Sequence, residues 1–199
     1  MSELSTARAA TAAPNGRSTT RTVLRWMVSF AGFPLGGVAA MVLTGPVDSL
    51  GAALGGGLAT GAVLGAVQAW AMGEARPRPA AWIVATAVGL MVGLGLGAWL
   101  VDYETSIASL VVQGAVCGVL VGAAQAVVLL PRLGSLALAW PVALSAIWAA
   151  GWAVTTSIGV QVDEQFTVFG SAGAIVATLL TSVLPVLLNR RHHTEKSPS

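Results

Sequence analysis

Gly57 to Ala69 reads GLATGAVLGAVQA, and Gly114 to Ala126 reads GAVCGVLVGAAQA. The two stretches are copies at an offset of 57 residues. Each has a glycine at every fourth position (Gly57, Gly61, Gly65; Gly114, Gly118, Gly122) and a glutamine three residues after the last (Gln68, Gln125). Residues four apart fall on nearly the same face of a helix. Each stretch therefore predicts a helix with one face stripped to backbone. The positions between hold only Ala, Val, Leu, Thr and Cys, so the remaining faces are apolar as well. A helix apolar all round is a buried or lipid-facing helix, and small residues at this spacing let helices approach closely in lipid.

The rest of the chain agrees. Of 199 residues 55% are hydrophobic and 9% charged, where a soluble domain carries about 25% charged, and the mean hydropathy is +0.79. So few charges cannot cover a water-soluble globule. Apolar runs long enough to cross about 30 Å of hydrocarbon recur at Thr22–Thr44, Leu50–Met72, Ala80–Val101, Thr105–Leu130, Ser135–Val160 and Phe166–Leu188. The separators hold helix-ending residues, among them Gly45-Pro46 and the run GEARPRP from Gly73 to Pro79. The runs are twice the length of barrel strands and do not alternate. The fold class predicted is an all-α integral membrane bundle of six transmembrane helices, in one domain over residues 22–188. Residues 1–21, polar and lacking the apolar core of a secretory signal, are expected to form a disordered cytoplasmic tail, and residues 189–199 a cytoplasmic C-terminal tail.

Charge orients the bundle. All ten basic residues fall on one side of this layout: Arg8, Arg17, Arg21 and Arg25 before or at the start of the first span, Arg76 and Arg78 after the second, Arg132 after the fourth, Arg190, Arg191 and Lys196 after the sixth. The other side holds Asp48, Asp102, Glu104, Asp163 and Glu164. The positive-inside rule puts both termini in the cytoplasm, and an odd number of spans would break the segregation.

The repeat extends beyond the two glycine stretches. The sixth span carries a degenerate copy, Gly173, Ala177 and Thr181, without the glutamine. Trp26, Trp82 and Trp140 in the odd spans each stand eleven residues before a glycine. Three tandem helical hairpins follow, related by a pseudo-threefold axis along the membrane normal. The segment Gly61 to Met72 (GAVLGAVQAWAM), followed by a basic turn and a tryptophan-led helix, resembles uncharacterised small bacterial polytopic membrane proteins whose hairpins repeat G-x3-G-x2-QW. Ala69 here separates Gln68 from Trp70, and the second copy has no such tryptophan. The resemblance implies the hairpin fold and a bacterial inner membrane. It carries no activity.

Several residues invite more than one reading. The ladders, with Gly89, Gly93 and Gly97 forming a third, serve either packing within the chain, or a seam between copies, or a sliding surface for a gate. Gln68 and Gln125, at nearly the depth of Trp82 and Trp140, either clamp their hairpins by hydrogen bonds or ring the inner mouth of a central pathway; Thr86, Ser145 and Thr178 would join such a lining. Asp48, Glu104, Asp163 and Glu164 precede returning helices, where a carboxylate can cap free N–H groups. Alternatively they attract cations to an outer vestibule. Pro34 and Pro185 are expected to kink the first and last spans. His192 and His193 lack a third ligand for a metal, and the tail around them reads as a contact for anionic lipid.

Apart from Arg25, at the basic end of the first span, no charged residue lies inside a predicted span, which argues against proton relays and ion-coupled pumping. One cysteine, Cys117, leaves no disulfide framework, and no catalytic motif is present. A net charge of +2 gives no nucleic-acid signal. The expectation is a non-enzymatic packing or assembly unit without cofactor, its partners the bilayer and a second copy or another membrane protein. A channel or facilitator for a small neutral or cationic solute is the alternative.

Overall fold

The computed structural model describes residues 16–157 and 171–196. Among these residues all regular structure is helical. The helices are α1 (Gly16–Met27), α2 (Gly32–Thr44), α3 (Leu50–Ala71), α4 (Pro79–Leu100), α5 (Ile107–Leu133), α6 (Trp140–Ser157), α7 (Ser171–Thr181) and α8 (Val183–Lys196). Five continuous helical stretches are long and apolar enough to cross a membrane: Thr19–Thr44, Leu50–Ala71, Pro79–Leu100, Ile107–Ser157 and Ala172–His192. This is the make-up of a helical membrane bundle.

The fourth stretch is 51 residues long and doubles back. It joins α5 to α6 through a 3-10 turn, Gly134–Ala139. Gly134 takes a φ of +57°, a backbone conformation that glycine adopts without the penalty a β-carbon brings, and its N–H closes the end of α5 on Leu130 O. Along the pair, Gly114 lies against Trp148, Gly118 against Leu144 and Gly122 against Pro141, the reversed order of an antiparallel hairpin.

The first and last stretches are each broken next to a proline. Proline has no N–H, so the carbonyl four residues earlier loses its helical partner. For Pro34 that carbonyl is on Phe30, and the chain tightens into a 3-10 turn at Val28–Ala31 between α1 and α2. For Pro185 it is on Thr181, the last residue of α7, and α8 restarts at Val183. Pro131 is carried inside α5 near its end.

Helix ends differ from the hydropathy boundaries. α1 begins at Gly16, ahead of Thr22, and α8 runs to Lys196, past Leu188. Hydropathy marks where apolar surface starts, whereas backbone hydrogen bonding continues into polar sequence until something caps it. The expected start of the last span, Phe166 to Gly170, lies outside the described residues.

Each helix packs on its neighbours in the chain, α2 on α3 and so on to α7, and α7 and α8 return to α1, so the order closes into a ring. The ring is dressed in reverse of a soluble protein. On α4 the outward face is Val84, Val88, Val92, Leu96 and Trp99, all exposed, while Trp82, Thr86, Gly89, Leu90, Gly93 and Gly97 are buried. Valines, Leu96 and Trp99 face out, where lipid suits them, and the glycines, Thr86, Trp82 and Leu90 face in.

Candidate functional site

The nine ladder glycines are all buried against another helix of the same chain. A β-carbon on Gly61 would stand 2.6 Å from Ala87 Cα and 2.7 Å from Thr86 O. On Gly57 it would stand 2.6 Å from Leu90 O, and on Gly65 3.0 Å from Ile83 Cα. The α5 ladder meets α6 in the same way, with a β-carbon on Gly118 2.6 Å from Ser145 Cα and one on Gly122 2.6 Å from Pro141 Cα. Gly89, Gly93 and Gly97 of α4 lie against Val121, Cys117 and Gln113 of α5. Real side chains do not come within 3.0 Å in this way, so seven of the nine glycines are required by the helix across from them, while at Gly65 and Gly97, at 3.0 and 3.1 Å, a β-carbon would need the neighbour to shift slightly. Hydroxyls peg two of these approaches: Thr60 donates to Gly36 O at 3.1 Å and Ser145 to Ala115 O at 2.9 Å.

Close approach brings the polar side chains near one end of the helices together. That end is the basic one. The indole N–H of Trp82 donates to Gln68 Oε1 at 3.2 Å, and that of Trp140 donates to Gln125 Oε1 at 2.8 Å. The Gln125 amide then donates to Thr86 Oγ1 at 3.0 Å, and the Thr86 hydroxyl donates to Trp82 O one turn back, at 2.8 Å. One chain of hydrogen bonds therefore runs from α6 through α5 and α4 to α3. The third tryptophan, Trp26, lies on α1, and its indole N–H reaches the far end of the sequence, Thr178 O at 3.0 Å and Thr181 Oγ1 at 3.2 Å on α7. Thr181 is free to accept there because its hydroxyl proton goes to Ala177 O at 2.7 Å.

These side chains surround one small cavity, lined by Trp26, Phe33, Gln68, Trp82, Gln125, Trp140, Leu144, Trp148, Ala177 and Thr181. Every helix from α1 to α7 contributes to it, so it sits on the axis of the ring. Its volume is about 10 Å³, the lower limit for a single water. Phe33 and Trp148 close one side edge to face, their rings 6.2 Å apart. Trp26, Trp82 and Gln125 are at most 2% exposed, and the dry surroundings strengthen their hydrogen bonds and penalise breaking them.

Sequence reasoning placed Gln68 beside Trp82 and Gln125 beside Trp140, and the structure brings both pairs together. No spacing in the sequence points to Trp26 with Thr181, or to Gln113, which is buried against Gly97. Of the other lining candidates, Thr86 is inside the network, while Ser145 and Thr178 hold neighbouring carbonyls, Ala115 O and Ala174 O, and do not line the cavity. At the acidic end, among the described residues, the capping oxygens are not carboxylates. Ser49 accepts from Ala52 N–H and Ser106 from Ser109 N–H. A serine immediately before the first helical residue is already at the right distance, so Asp48 stays exposed, and Glu104 accepts from the Ser109 hydroxyl at 3.2 Å instead. Asp163 and Glu164 lie outside the described residues.

No grouping of three or more His, Cys, Asp or Glu suited to a metal occurs among the described residues. Comparison with protein-family models, curated proteins and solved structures returns no match to this chain.

Proposed function

We propose that this chain is a non-catalytic, six-span structural unit of a bacterial inner membrane, closed along its own axis and built from three related hairpins. The observation that carries this reading is the central cavity. Seven helices converge on it and leave about 10 Å³ between them, and the three indole N–H groups and the Gln125 amide around it are bonded within the chain rather than presented to a solute. The glycine ladders support it too: all nine bind neighbouring helices of the same chain, which leaves aliphatic surface for lipid and for any second copy or other membrane protein.

Six crossings follow if the 51-residue stretch counts as two spans, α5 and α6. Both termini and all ten basic residues then share the cytoplasmic side. The three-hairpin reading draws on three equivalent joints. Each is an indole N–H of an odd span donating to a polar residue of an even one: Trp82 to Gln68, Trp140 to Gln125, and Trp26 to Thr181.

The second reading, a conduit for a small neutral or cationic solute, draws on the same ring, because Gln68, Gln125 and Thr181 all border the axial cavity. Flux separates the two. Full-length protein reconstituted in liposomes should leave glycerol, potassium and proton permeability at the level of empty vesicles. A protein-dependent leak that Gln125→Leu abolishes would establish the conduit in its place.

A further inference from the structure

The basic end of the bundle holds a second, larger concavity, a cleft of about 510 Å³ lined by Glu74, Arg76, Pro77, Arg78, Pro79, Arg132 and His192. Three elements build it: the turn between α3 and α4, the end of α5, and α8, which packs against both. Two guanidinium groups are fixed in place. Arg132 donates from Nη1 to Ala75 O at 3.0 Å, bridging α5 to the turn, and Arg76 donates from Nη1 to Gly73 O at 3.0 Å. A guanidinium has five N–H donors in a planar fork, so each keeps donors beyond these bonds. Arg76 and Arg78 each precede a proline, which holds both in extended backbone (ψ of 146° and 117°) and stiffens the turn. Three arginines and a histidine face a single carboxylate, Glu74.

We propose that this cleft binds the phosphate of an anionic phospholipid headgroup. Arginine forks match phosphate oxygens two at a time, and the concavity is broad and open, so a headgroup can reach it. The source is the leaflet because of what stands beside the cleft. Trp70, 55% exposed, lies under the Arg25 guanidinium, 5.0 Å from its ring centroid, and Arg25 also donates to Trp70 O at 2.8 Å. An exposed tryptophan under a cation is a headgroup-level anchor, so the basic turn meets lipid phosphates at its own depth. The inference rests on the bundle's being embedded in lipid, though not on its axis being closed.

The test is native mass spectrometry of the full-length protein released from mixed micelles of phosphatidylglycerol and phosphatidylcholine. The expected result is retention of one phosphatidylglycerol in clear preference to phosphatidylcholine, with Arg78→Gln and Arg132→Gln each weakening that preference about fivefold. Arg132→Lys should keep part of it. Arg8→Gln with Arg17→Gln, which removes two charges against one in either cleft variant, serves as the charge control and should leave it unchanged. Since Arg132 also braces the turn, the unfolding temperature is read in parallel, and Arg78, exposed on the turn, gives the variant expected to fold normally. Equal loss in the Arg8/Arg17 control would mean diffuse charge attraction and would overturn the site. So would a wild-type protein without lipid preference. If inorganic phosphate at millimolar concentration binds the lipid-free protein and displaces phosphatidylglycerol, the cleft serves a soluble phosphate compound, and the lipid assignment is wrong. Liposome flux reads the closed-axis proposal separately, so failure of one leaves the other standing.

Discussion

Trp140 and Gln125 sit on neighbouring helices, 15 residues apart in sequence, and are joined by a hydrogen bond of 2.8 Å in a buried setting. The bond is the centre of a longer relay, because the same glutamine donates onward to Thr86 and so ties α4, α5 and α6 at one level. Gln68 has the corresponding place on α3 but is only partly buried, and its bond to Trp82 is longer, at 3.2 Å. Two copies of one motif have thus acquired different weights.

That difference predicts an order. Gln125→Leu removes two bonds and strands the Trp140 N–H in a dry site, while the Thr86 hydroxyl keeps its bond to Trp82 O. It should lower stability by about 1–2 kcal/mol. Gln68→Leu should cost about 0.6 kcal/mol, the usual value for one interhelical bond in lipid. Unfolding in mixed micelles, followed by circular dichroism, measures both. Equal losses would mean that the relay through Thr86 adds nothing.

The glycine approaches make a sharper prediction. Gly61→Ala and Gly118→Ala force a β-carbon into the backbone of α4 and α6, and overpacking of this kind costs about 1–3 kcal/mol or more. Gly51→Ala serves as the comparison, because nothing lies within 4 Å of its β-carbon position and its φ is not in the left-handed region. There alanine should be neutral or slightly stabilising, by up to about 1 kcal/mol. Similar unfolding temperatures for all three variants would show that the ladders are not buried seams.

Closure of the ring depends on Trp26, which joins α1 to α7. Trp26→Phe deletes one donor to two acceptors and leaves the other joints intact. Faster hydrogen exchange should appear selectively in residues 172–181, with little change in α5. Uniform protection in the variant would mean that the first and last helices hold together without this bond.

How far the sequence revealed these features depends on the distance between the partners. The ladders and the Gln–Trp pairs were legible because the partners lie on consecutive helices joined by short turns, so depth in the membrane alone brings Gln68 to Trp82. Trp26 and Thr181 are 155 residues apart, and the expected glutamine of the third copy is absent, so no spacing announced that joint. The caps were misassigned for a simpler reason. Charge drew the reading to Asp48 and Glu104, while the serine next to each helix was better placed. The cleft was hidden because Arg132 and the 73–79 turn meet only once two hairpins have packed.

Topology is tested by fusion. A reporter active only in the cytoplasm should work after Arg78, Arg132 or Ser199 and fail after Asp48, Tyr103 or Glu164. Activity at Glu164 together with failure at Arg132 would mean that the 51-residue stretch crosses once, and the six-span proposal would be wrong.

The central claim is that the axis is locked by paired side chains rather than left open for a solute, and a double-mutant cycle on Gln125 and Trp140 tests it most directly. Gln125→Leu, Trp140→Phe and the double variant are unfolded under identical conditions in mixed micelles. The account predicts that the double variant loses less than the two single losses together, by about 0.5–1.5 kcal/mol, because the bond is lost only once. Strictly additive losses would contradict it, since the two side chains would then not be energetically joined and the ring would be free to open.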